Sequence, residues 1–125
     1  GDAKAPRVRV ASYNVLAATH GIGGNFPLAA PAALNWHNRR ERLVSELATY
    51  NADVIALQDV DNYREWWQPH MIRIGYDGCF APRTDEPRVG VAVFYRRGTL
   101  RLVRSEGFTL ADPPALQGRR KLGRR

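Results

Sequence analysis

Asp53-Val54-Ile55-Ala56-Leu57-Gln58-Asp59-Val60 is an almost continuous apolar run of strand length, opened by Asp53 and broken by Gln58 and Asp59 near its end. Such a run, too short for a buried helix, suits a central strand covered on both faces. Upstream, Trp36, Arg40, Leu43, Val44 and Leu47 recur at helical spacing as far as Tyr50 and Asn51, with Asn35 as a candidate N-cap and with Leu43 and Leu47 facing the core. Further upstream, Arg7 to Leu16 alternates Val8, Val10 and Ser12 with Arg7, Arg9 and Ala11, which is the pattern of a first strand. Between strand and helix, Ala17 to Leu34 holds Gly21, Gly23, Gly24, Pro27 and Pro31 and reads as a long loop, either functional or a flexible insertion.

Downstream, Tyr63 to Ile74 reads as a second helix stopped by Gly75, its regularity limited by Pro69. Gly78–Ala81, Val89–Arg96 and Thr99–Arg104 read as three further strands, the last two joined by a hairpin-like turn at Arg97 and Gly98. The order βαβαβββ assigns an α/β class, with an N-terminal tail over 1–6, one domain over 7–112 and a basic C-terminal tail over 113–125. At 125 residues the chain has room for one hydrophobic core.

Nineteen Lys and Arg against twelve Asp and Glu give a formal charge of +7, and seventeen of the nineteen are arginine. The planar guanidinium holds phosphate bidentately, so an RNA or DNA backbone is the expected partner, with Arg119, Arg120, Lys121, Arg124 and Arg125 of the tail as candidate nucleic-acid contacts. A composition bias towards arginine explains the same numbers. No apolar run reaches the roughly 20 residues of a transmembrane helix, so no membrane role is expected. Cys79 stands alone, without a partner for a disulfide or a zinc site, which fits an intracellular setting, cytoplasmic or mitochondrial.

Asn14 lies near the end of the first strand and Asp59 near the end of the central one. Parallel neighbours joined through a helix would bring both side chains to one rim of the sheet, where open α/β sheets place their ligands. A carboxylate there suits Mg²⁺, which takes one or two oxygen ligands from protein, and an Asn amide can orient that carboxylate or a phosphate oxygen. Asn and Asp at strand ends also cap turns, and the pair alone does not decide between the two roles.

Three segments carry more: Ala11-Ser12-Tyr13-Asn14-Val15-Leu16-Ala17, Leu34-Asn35-Trp36-His37-Asn38-Arg39-Arg40, and Asp53 through Asp61. In this order, followed by Gly75-Tyr76-Asp77-Gly78, Phe80-Ala81-Pro82-Arg83 and Val91-Ala92-Val93-Phe94-Tyr95, they resemble the endonuclease/exonuclease/phosphatase superfamily over roughly residues 7 to 105. The similarity is to its nocturnin and Angel branch of deadenylase-like nucleases. The resemblance implies the N-terminal half of a four-layer α/β/β/α sandwich, in which two mixed sheets stack between helices. It also implies Mg²⁺-dependent phosphodiester cleavage from the 3′ end of RNA. By motif matching, Asn14 takes the place of the active-site Asn and Asp59 that of the metal-binding Glu.

The chain departs from this pattern twice. Asp59 stands where the family has Glu, which retracts the carboxylate by about 1.5 Å, a large change for an ion that wants bonds of roughly 2.0 to 2.1 Å. The remaining catalytic groups implied by the resemblance, an Asp/Asn pair and a late Asp–His pair, have no counterpart here, since His20, His37 and His70 all lie early in the chain. Two readings follow: part of a Mg²⁺-dependent 3′ exoribonuclease, inactive as this chain alone, or a non-catalytic relative binding RNA within a ribonucleoprotein assembly. Either way, a sheet face built from Val54, Ala56, Val91 and Val93 would lack its opposing sheet and call for a protein partner or a second half-domain.

Overall fold

A computed structural model of the chain describes residues 5–17 and 30–110, with backbone alone for 30–37. The elements are β1 (Val10–Asn14), α1 (Ala30–Thr49), β2 (Val54–Asp61), a π-helical turn (Tyr63–Trp67), α2 (Gln68–Arg73), β3 (Tyr76–Pro82) and β4 (Val89–Arg96). They build one mixed sheet in the order β1-β2-β4-β3, with β1 parallel to β2 and the other two pairings antiparallel. The α/β class and the central place of the Asp53–Val60 stretch are therefore as expected. Among the described residues no helix is long and apolar enough to cross a membrane.

Strand alternation sorts the side chains onto two faces. Ile55, Leu57, Ala92 and Phe94 point to one face, where Leu43, Val44 and Leu47 of α1 and Trp67 and Met71 beyond β2 bury them. Val54 and Ala56 point to the other, and there Val10, Val91 and Val93 are 62%, 47% and 40% exposed. Only one face of β2 is thus covered by helices. The expectation of a strand covered on both sides fails for the described residues, among which the second face is left partly exposed.

Three boundaries differ from expectation for identifiable reasons. Helix α1 begins at Ala30, so residues 30–34 are not loop and Asn35 is helix interior rather than N-cap. Pro31 falls in the first turn, where its missing N–H has no intrahelical acceptor to lose, so the proline admits the helix instead of barring it. The stretch Tyr63–Ile74 is helical but divided: Trp67 N–H and Gln68 N–H reach back five residues to Asn62 and Tyr63 carbonyls, and Pro69 sits in the first turn of α2. The irregularity precedes the proline. Gly75, at φ 101°, ends the helical stretch as expected.

Thr99–Arg104 is not a strand. Strand β4 pairs with β2 on one edge and β3 on the other, so it has no edge left for a hairpin partner. Instead Thr99 and Leu100 N–H groups close a turn on the Arg96 carbonyl at 3.2 and 2.9 Å. Residues 1–4, most of the expected loop, including His20, and the basic tail lie outside the described residues.

Candidate active-site rim

The register of β1 on β2 places Asn14 opposite Gln58, so Asn14 and Asp59 emerge on one rim of the sheet. The rim is held by hydrogen bonds from several directions. Val15 N–H donates to the Gln58 carbonyl at 3.0 Å, prolonging the ladder past the end of β1. Leu16 N–H donates to Asn14 Oδ1 at 2.9 Å, and Ala17 N–H donates to Asp59 Oδ2 at 2.9 Å. Arg39 of α1 donates through Nη2 to the Val15 and Leu16 carbonyls, each at 2.8 Å.

The backbone itself is bent at this point. Leu16 has φ 55° and Asp59 φ 60°, both left-handed, and Asp59 sits in a register shift between Leu57 and Val60 where β2 bulges against β4. A bulky residue such as Leu16 enters that region only where its surroundings impose it, whereas Asp tolerates it better. Bulges and left-handed residues of this kind turn side chains out of the pleat.

Asn14 Oδ1 is committed to the Leu16 N–H, which leaves its Nδ2 amide to donate towards the rim. Asp59 gives one oxygen to Ala17 N–H, and a carboxylate accepts at several further lone-pair positions. Both groups are hard oxygen-bearing side chains and Asp59 is half-buried, so the pair fits the small share of ligands that Mg²⁺ draws from protein. Among the described residues no group of three or more His, Cys, Asp or Glu could hold a metal ion together.

Asp61, two residues beyond Asp59, is buried and does not join this rim. It faces Arg39 and Arg40 of α1: burial pulls both guanidiniums below their ordinary pKa, opposed at Arg39 by Tyr13 and then by the Asp61 carboxylate, and at Arg40 chiefly by Asp61. The Arg40 guanidinium also lies 4.3 Å from the Trp66 ring centroid, and Trp66 meets Trp67 edge-on at 4.9 Å and stacks on His70 at 3.9 Å. His70 is thereby a packing residue, its Nδ1 2.8 Å from the Trp66 carbonyl oxygen. Trp67 and Tyr63 are in the core, Tyr63 against Phe80 and Phe94.

Arg39, Arg40 and Asp61 are the residues that reading the sequence missed as part of this construction. The signal was present: Arg40 occupies a core position in the helical pattern, and a cation there requires an acid nearby. The tail residues Arg119, Arg120, Lys121, Arg124 and Arg125, and the His37 side chain, lie outside the described residues.

Comparison with known proteins bears on the same construction. The model of the Endonuclease/Exonuclease/phosphatase family matches residues 11–119. Human Nocturnin is 33% identical over 115 residues, covering 84% of this chain and 27% of that protein. Carbon catabolite repressor protein 4 homolog 4 of Arabidopsis thaliana is 36% identical over 107 residues, covering 85% and 26%. The chain therefore spans about a quarter of the length of the curated relatives it matches.

The solved human Nocturnin catalytic domain with bound sulfate superposes with a TM-score of 0.62 at 29% identity, over 79% of this chain and 36% of that one. ANGEL2, a 2′,3′-cyclic phosphatase solved with adenosine-2′,3′-vanadate, gives 0.65 at 23% identity over 78% and 29%, a likeness of fold. With the ordered motifs, the parallel β1–β2 rim and these matches in agreement, the chain belongs to the endonuclease/exonuclease/phosphatase family, with Nocturnin among its similar members.

Proposed function

We propose that this chain is the first part of a Mg²⁺-dependent phosphodiesterase that degrades RNA from its 3′ end, and that it does not cut as this chain alone. The observation that carries the reading is the pairing of Asn14 and Asp59 on one rim, across a register that keeps the ends of β1 and β2 together. Asp59 would hold the ion, and Asn14 Nδ2 would donate to a non-bridging phosphate oxygen. When bound, Mg²⁺ supplies charge neutralisation on the phosphate. The chain's own contribution is to fix where the phosphate lies: Arg39 and the Ala17 N–H clamp the β1 exit, so both side chains start from a rigid backbone.

The remaining proton-transfer groups belong, in this reading, to the part of the family domain that the chain does not span. That part would also supply the second sheet of the four-layer sandwich, covering Val91 and Val93. A second reading, a non-catalytic RNA-binding or scaffold subunit, is favoured by one feature: the Asp59 carboxylate already has a structural task in anchoring Ala17.

The deciding experiment is degradation of 3′-labelled and 5′-labelled single-stranded RNA with and without Mg²⁺, using Asp59→Ala as control and sizing the same sample. The expected result is no turnover by the chain alone and Mg²⁺-dependent, Asp59-dependent turnover once the remainder of the domain is supplied. Asp59-independent behaviour of the completed domain would transfer the reading to the scaffold role.

A further inference from the structure

The rim opposite Asn14 and Asp59 carries a second constellation. Where the chain enters β1, α1 hands over to β2 and β4 ends, Arg7, Arg9, Asn51, Asp53 and Arg96 surround an open cleft of about 460 Å³. Arg9 donates through Nη1 to the Tyr50 carbonyl at 3.0 Å, and its backbone N–H reaches Asp53 Oδ2 at 2.8 Å. Arg96 donates through Nη2 to Asn51 Oδ1 at 2.8 Å and to the Ala52 carbonyl at 2.7 Å, with Nε 3.6 Å from Asp53 Oδ1. Arg7 is exposed and takes no hydrogen bond or ion pair among the described residues.

Three guanidiniums thus line a cleft in which Asp53 is the one carboxylate. Like charges gathered in this way repel one another until an anion joins them. Arg9 is held by an uncharged oxygen and Arg96 by two together with its ion pair to Asp53, and these contacts use a fraction of the five N–H donors of each guanidinium. Their remaining donors are therefore aimed in advance, so little rotamer freedom is lost when a ligand arrives. The fork of N–H groups matches phosphate, which it can hold bidentately.

We infer that this rim is a phosphate-binding subsite for the backbone of single-stranded RNA, separate from the rim of Asn14 and Asp59. Six residues of extended chain from Asp53 to Asp59 put the two rims roughly 20 Å apart, within reach of one strand of several nucleotides. The choice of RNA over other polyanions rests on the proposed function; the preference for phosphate rests on the three arginines alone.

The test is fluorescence anisotropy of the full chain with a labelled single-stranded oligoadenylate in EDTA, so that cleavage does not consume the probe. A background in which Arg119, Arg120, Lys121, Arg124 and Arg125 are replaced by Ala removes the tail's contribution. In that background Arg7→Glu should weaken binding about tenfold and reduce the salt slope by about 0.7 for each phosphate no longer neutralised. Arg42→Glu, which reverses an exposed charge on α1 outside the cleft, should leave both unchanged. Because Arg9 and Arg96 variants disturb the fold, their part is read on the unaltered residues: backbone amides of Arg9, Asn51 and Asp53 should shift on titration with the same oligoadenylate.

Equal affinity and slope for Arg7→Glu, with those amides unmoved, overturns the subsite. Amide shifts produced by phosphatidylserine vesicles but not by oligoadenylate overturn RNA as its ligand. The outcomes separate from those of the proposed chemistry: a completed domain that fails to cut but binds through these amides refutes the chemistry alone. One that cuts while Arg7→Glu binds normally refutes the subsite alone.

Discussion

At Asp59 a single side chain anchors the backbone and offers a carboxylate, and the two tasks can be separated. Asp59→Asn keeps an acceptor for the Ala17 N–H and a residue that tolerates φ near 60°. It should hold most of the stability in urea denaturation while abolishing Mg²⁺-dependent cleavage by the completed domain. Asp59→Ala loses the acceptor and the tolerance together, and should cost about 1 to 2 kcal/mol in the same measurement. If Asn proves as destabilising as Ala, a neutral hydrogen bond is not what anchors Ala17. Tyr63 poses the converse case, a buried hydroxyl with no hydrogen-bond partner among the described residues. Burial, helped by Asp77 and Cys79, pushes its pKa up to about 12. A phenol that keeps its proton longer when folded contributes stability that is complete below pH about 10 and lost as pH rises from there towards 12. Tyr63→Phe keeps the ring against Phe80 and Phe94, should be neutral or stabilising at neutral pH, and should remove that part of the alkaline loss. Urea melts at pH 8 and pH 11 on both proteins decide it.

Between elements, the energetic stakes lie where α1 meets the end of β2 and where β3 meets β4. Arg40→Ala would leave the buried Asp61 carboxylate without one of the cations facing it, and should cost about 3 kcal/mol. Arg40→Ala combined with Asp61→Ala should cost clearly less than the two singles summed, and a strictly additive double-mutant cycle would show that the pair does not interact. At Gly90 a Cβ would stand 2.1 Å from the Ala81 carbonyl oxygen, a backbone atom of the paired strand, so Gly90→Ala should separate β3 from β4 and cost about 2 kcal/mol or more. Thermal unfolding checks it. These same junctions mark how far the sequence could be read. The apolar run of β2, the Val89–Arg96 strand and the core-facing Leu43 and Leu47 were legible because periodicity and length are local properties. Asn14 and Asp59 were legible as one rim because a parallel pair joined through a helix admits few arrangements. The clamp by Arg39, the burial of Asp61 and the absence of a strand at Thr99–Arg104 were not, because each depends on which strand edges and which helix face are taken by distant residues.

For the molecule as a whole, the sheet has a core on one side and valines facing solvent on the other. Exposed apolar residues are ordinary singly, but Val10, Val91 and Val93 share one sheet face with Val54 and Ala56. The chain spans about a quarter of its curated relatives, so the proposed cover is the remainder of the family domain. A face awaiting such a cover should bind a hydrophobic dye and promote self-association of the chain alone. Val91→Lys with Val93→Lys should suppress both, measured by dye fluorescence and sedimentation, and should leave the melting temperature within a few degrees because both side chains are exposed already. The same double variant should fail to yield Mg²⁺-dependent cleavage when the rest of the domain is supplied, since two ammonium groups would have to be buried between the sheets. Substitutions that melt the chain alone would mean that this face is already covered. Cleavage that survives them would mean that the completed domain does not close over it, and the half-sandwich reading would then give way to an assembly built on a different surface.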